Sequence, residues 1–220
     1  SGAGRVVLSA HMCHPAQAND NLSGVAVLTA VAEQLASAEF PASVHALFLP
    51  GGIGSIAWLA RNEHLVPGIL GGLSLACIGD PAGLTFKATR DGDTVVDRIA
   101  GLIARDMGVE LGEAPFDPYG FDERNFSSPA FGLAYGSVTR SPHGGYPEYH
   151  SSDDSVDLMD AGRLGEAAEF VFRFVDALAT NRRLLRHEPR GEPQLGKRGL
   201  YGSVGGLRQR PAFESSLLWV

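Results

Sequence analysis

The chain has no apolar run of about eighteen residues, the length that a helix needs to cross a bilayer, which argues against a membrane span. It has two cysteines in 220 residues, Cys13 and Cys77, too few for a disulfide framework. Its first residues, SGAGRVV, lack the charged-then-apolar form of a secretory leader. They enter a strand almost at once, so an upstream segment is expected. No stretch is of low complexity and no internal repeat is visible. A cytoplasmic location is the expectation these absences leave.

Acidic residues are scarce at one end only. Residues 181–220 hold 8 of the 18 Lys and Arg but 3 of the 25 Asp and Glu, so this tail carries +5 and residues 1–180 carry −12, within a total of −7. A basic tail on an acidic body commonly packs on its own domain or on a partner subunit; nucleic-acid binding is the lesser alternative.

What is present suits one globular domain with a sizeable core: 44% hydrophobic, 20% charged, with 28 glycines and 13 prolines for tight loops. RVVLSA reads as a buried strand ending near His11. LSGVAVLTAVAEQLASA sets Val25, Leu28, Val31 and Leu35 at helical spacing. SVHALFLP is a second strand stopped by Pro50, GGIGSIAWLARN a turn and short helix, and GLSLACIGD a third strand with Asp80 just past its end. LTFKATRDGD reads as an edge strand and turn, TVVDRIAGLIARDMG as an amphipathic helix closed by Gly108, and FGLAYGSVT as another strand. DAGRLGEAAEFVFRFVDALATN is a long helix with Leu164, Ala168, Val171, Val175 and Leu178 on one stripe. Strands alternating with helices predict an α/β fold with a largely parallel central sheet and helices on both faces. In such sheets ligands sit beyond the carboxyl ends of the strands. His11, His14, Asp20, Asp80 and the loop before His150 all fall at strand ends or just after them.

Imidazole and carboxylate are ligands that zinc prefers, and a catalytic zinc takes about three of them plus water. His14 follows the first strand, Asp20 lies at the helix entry, and the distant PEYHSSDD supplies His150. Each has a plainer reading. Asp20 in ANDNLSG could cap the helix, although Asn19, Asn21 and Ser23 serve equally well. His11 and Cys13 alternate with Met12 as strand residues do. His45, His64 and His187 receive no role. GGIGS lacks the lysine and spacing of a phosphate-binding loop.

The segments CHPAQANDNLSG, GGIGSIAWL, CIGDPAGLTFKATRDGD, DERNF, RSPHGGYPEYHSSDD and EPQLGKRGLY make a specific set. Through them the chain resembles the zinc aminopeptidase and glutaminyl cyclase superfamily, and within it a bacterial branch of aminopeptidase-like proteins of largely unassigned function. The resemblance runs roughly from residue 5 to residue 200. It implies an aminopeptidase-like catalytic domain over residues 1–180, after which the basic tail 181–220 leads to a winged-helix-like region. It implies zinc, with ligands at His14, or alternatively His11, at Asp20 and at His150. Asp122 matches an aspartate that belongs to an active-site hydrogen-bond network in the cyclases.

Two departures stand out. The peptidases carry a Glu-Glu pair after the second strand, one a general base and the other a ligand; here the stretch reads Pro50-Gly51-Gly52. Their ligand aspartate after the third strand is replaced by Ala76, for which Asp80 could substitute. A zinc hydrolase needs a base for the metal-bound water. Asp122, Glu123 and Glu148 are the remaining acids, and on an extended segment Glu148 and His150 would face one side. The expected function is a zinc-dependent hydrolase of a peptide or amide bond in a small substrate, a metallopeptidase or amidohydrolase. The alternatives are a non-catalytic zinc-containing binding or assembly module and a zinc-dependent acyl transferase or cyclase.

Overall fold

The near-continuous apolar run VVLSA becomes β1 (Arg5–His11), buried from Val6 to His11. Burial along a whole strand requires cover on both faces. The protein is described by a computed structural model over residues 4–13, 17–142 and 144–182, with Arg190 and Lys197. β1 lies between β2 (Ser43–Leu49) and β3 (Ile69–Leu75), parallel to both. β3 pairs in parallel with β6 (Tyr135–Thr139). β4 (Leu84–Lys87) then pairs antiparallel with β6 and parallel with β5 (Leu111–Ala114). The six strands run in the order β2-β1-β3-β6-β4-β5, a mostly parallel sheet.

Alternate residues of β1 point to opposite faces. Val6, Leu8 and Ala10 join the larger core, with α1 (Gly24–Ala36), α3 (Val95–Met107) and α5 (Ala161–Thr180). Val7 faces the other way, into a smaller cluster with Leu59, Phe126 and Tyr135. Those side chains come from α2 (Ile53–Arg61), the single turn α4 (Glu123–Phe126) and β6. On α5 the buried stripe is Ala167, Phe170, Val171, Phe174, Val175, Leu178 and Ala179, and Leu164 and Ala168 are partly buried beside it. The first turn of α3 is closed by Asp97, which accepts the Thr94 amide at 2.7 Å, and its end by Gly108 at φ 66°.

LTFK is not an edge strand. LGEA, whose glycine and glutamate carry little strand signal, forms β5 and covers it. Residues 1–180 make up one unit and residues 181–220 another. The tail segment EPQLGKRGLY is almost wholly outside the described residues. Among those residues no helix is long and apolar enough to cross a membrane.

Candidate metal and active site

β1 ends at His11, and the chain then turns back toward α1 through residues 17–23. Asn21 fastens this turn. Its Nδ2 donates to the carbonyls of Leu75 (2.9 Å) and His11 (3.2 Å), at the ends of β3 and β1. Its Oδ1 accepts the amides of Cys77 and Gly24 at 3.1 and 3.2 Å. One buried side chain thus satisfies strand ends and the start of α1 together. Asn19 and Ser23 bind the stretch after β3: Asn19 Oδ1 accepts the Gly79 amide, and Ser23 Oγ accepts the Ile78 amide. The Asp20–Asn21 peptide is cis.

Asn21, not Asp20, accepts the Gly24 amide at the start of α1, and Asp20 is 1% exposed. Its Oδ1 accepts from His11 Nε2 at 2.8 Å and its Oδ2 from His150 Nε2 at 3.1 Å. A carboxylate only accepts, so both imidazoles donate from Nε2. His11 is buried and stacks on Phe121, ring centroids 4.9 Å apart. His150 is half exposed at the rim and stacks on Tyr149 at 4.0 Å.

These groups line a cavity of about 280 Å³ with Cys13, Gly51, Gly52, Tyr119, Asp122 and Arg124. Burial, then the Asp20 and Asp122 carboxylates, push the Cys13 thiol up, which favours its neutral form. Burial and Asp20 push the Tyr149 phenol up as well. A second cavity of about 350 Å³, between α1 and β2, is lined by apolar residues such as Leu28, Leu35 and Phe40, and offers no titratable group.

At Gly51-Gly52 a carboxylate arrives from elsewhere in the chain. Asp122 Oδ1 accepts the Gly52 amide at 2.9 Å and the Ser55 hydroxyl at 2.7 Å. Its Oδ2 is buried without a hydrogen-bond partner among the described residues. Glu123, fully buried, pairs instead with Lys87 at 2.9 Å and accepts the Phe121 amide, so it braces the cavity wall from behind. Glu148 does not line the cavity. Its segment is a turn, and His150 has φ 57°, so the alternation expected of an extended segment does not apply. Asp80 is turned away and engaged by Asn19 Nδ2, the Ala82 amide and Ser141. His14 lies outside the described residues. Of the sequence candidates, the structure brings together His11, Asp20, His150 and Asp122.

Two imidazoles and a carboxylate are the donor chemistry of zinc. Asp20 stands hydrogen-bonded between the two rings, and among the described residues no group of three His, Cys, Asp or Glu side chains is arranged to hold an ion. The donor set fits one ion in kind.

Residues 2–181 match the family described as a domain of unknown function, DUF4910. The chain belongs to this family. Residues 182–220 match a winged helix-turn-helix family. A Clostridium acetobutylicum protein described as a polysaccharide biosynthesis protein with an aminopeptidase-like domain is 39% identical over 215 residues, 98% of this chain and 49% of its own length. The chain thus spans about half the length of that relative. A crystal structure of a protein from C. acetobutylicum, described as a peptidase, superposes with TM-score 0.80 at 39% identity, over 89% of this chain and 46% of that one. The zinc aminopeptidase of Bacillus subtilis superposes with TM-score 0.71 at 20% identity, over 83% of this chain and 48% of that one. A glutaminyl cyclase of an Acidobacteriales bacterium gives TM-score 0.67 at 15% identity, over 81% and 70%. The fold is aminopeptidase-like.

Proposed function

We propose that the chain carries a zinc-dependent hydrolase site for a peptide or amide bond in a small substrate. The observation that supports it is the convergence of His11, Asp20 and His150 on one wall of a cavity that also presents Asp122. His11, Asp20 and His150 would hold the ion. Zinc, when bound, would polarise the carbonyl and lower the pKa of a bound water. Asp122 is the acid suited to move the proton: Oδ1 is anchored by Gly52 and Ser55, and Oδ2 has no hydrogen-bond partner among the described residues. The cavity of about 280 Å³ suits a substrate of one or two residues, not a folded protein. That fold neighbours include a zinc aminopeptidase supports the choice of zinc.

A second reading, a non-catalytic zinc-containing binding module, is favoured by the glycines at residues 51 and 52, where the resemblance sets the base. The test is zinc content of purified protein followed by turnover on aminoacyl, amide and N-terminal glutamine substrates. About one zinc per chain with amide turnover supports the hydrolase. Zinc without turnover favours the binding module, release of ammonia from N-terminal glutamine favours a cyclase, and absence of zinc overturns the metal reading.

A further inference from the structure

Asp154 lies four residues after His150, is 1% exposed, and takes no part in the chemistry above. Every polar contact of its carboxylate goes to the cavity's framework. Oδ1 accepts the Asn19 amide at 2.6 Å, and Oδ2 accepts the Asp20 amide at 3.0 Å and the Tyr146 hydroxyl at 3.3 Å. Its backbone carbonyl accepts the Ala18 amide at 3.1 Å. Three consecutive residues, 18 to 20, are thus held by one residue of a remote segment. The same Asp154 closes the turn that carries His150, because its own amide donates to the Ser151 carbonyl at 3.3 Å.

We propose that Asp154 is a positioning residue that sets the Asp20 carboxylate against the His150 and His11 imidazoles. The path is short and covalent at both ends. On one side, the carboxylate fixes the Asn19 and Asp20 peptide planes, and with them the direction in which the Asp20 side chain leaves the backbone. On the other, the turn from His150 to Asp154 fixes the distance between the imidazole and that carboxylate. Two amide donors of successive residues need two acceptor oxygens in a fixed fork, which an ionised carboxylate supplies and an amide does not. Groups that orient metal-binding side chains act in this way, and their loss typically weakens the metal about 10- to 100-fold.

The zinc arm of the test rests on the zinc-site reading; the imidazole arm does not. The full 220-residue chain is prepared as wild type, Asp154→Ala, Asp154→Asn and, as a remote, partly buried and hydrogen-bonded carboxylate control, Asp97→Ala. Zinc affinity is measured by chelator competition, and the ring-nitrogen signals of His11 and His150 are recorded by NMR on metal-free protein. Asp154→Ala is expected to bind zinc about 10- to 100-fold more weakly and to shift both ring signals. Asp154→Asn is expected to do so partly, and Asp97→Ala to leave both unchanged while lowering the melting temperature. A folded Asp154→Ala with wild-type zinc affinity and unmoved ring signals overturns the proposal; if that variant does not fold, the same outcomes in Asp154→Asn decide. Ring signals that move in a protein that binds no zinc keep the positioning role and overturn the zinc reading alone.

Discussion

At the scale of single residues the site turns on which histidine meets Asp20. His11 is the last residue of β1, and its Nε2 reaches Asp20 directly. His11→Ala and His150→Ala are each expected to lose most bound zinc, because one of three protein ligands would be missing. Metal analysis checks this, and an undiminished zinc content in His11→Ala would return His14 as the ligand. Asp122→Asn is expected to keep zinc and lower amide turnover about a hundredfold or more, the scale of a lost general base. Glu148→Gln, off the cavity wall, is expected to stay within about threefold of wild type. Steady-state rates on one small amide substrate separate the two. The placement of Asp20 and His150 near one another was legible because both fall in loops at the carboxyl ends of strands. The structural work of Asn21 was not, since its four partners lie as far as 56 residues away.

At the scale of elements, α3 shows how a carboxylate contributes through its neighbours. Burial by itself raises the Asp97 pKa, but hydrogen bonds from Thr89 and Thr94 outweigh it and hold the carboxyl below its usual range. A depressed folded pKa means that the contribution is present above the unfolded pKa of about 3.9 and fades as pH falls through the folded value. Asp97→Asn is expected to cost about 1 kcal/mol near pH 7. The gap between variant and wild type should narrow as pH falls through the depressed folded value, as urea unfolding across pH would show. On α5, Phe170 is fully buried in the larger core, and Phe170→Ala is expected to cost about 3–5 kcal/mol. The helices were readable because a stripe at 3.6-residue spacing survives any tertiary context. β5 was not, because its strand character comes from pairing with β4 rather than from LGEA itself.

For the whole molecule, the proposed ion links residues from β1, the turn before α1 and the segment before α5. An ion bound to the folded state alone stabilises it by about 2.7 kcal/mol at a hundred times its Kd. For a chain of this size the melting temperature should rise by about 5–10 °C with zinc and return with chelator. Differential scanning calorimetry with and without zinc tests this, and an unchanged melting temperature would count against a native-state metal site.

The sequence by itself determined the α/β class, most helices and strands, and the set of groups at the strand ends. Those follow from local periodicity and from chain order, which survive without knowledge of distant contacts. Tertiary structure decided the rest. It set His11 against Asp20, turned Asp80 and Glu148 away from the cavity, and brought Asp122 beside Gly52. Hydrogen bonds of about 3 Å between residues as far as 130 positions apart produced that choice. No spacing along the chain encodes such a distance; only the packing of the sheet and its loops does.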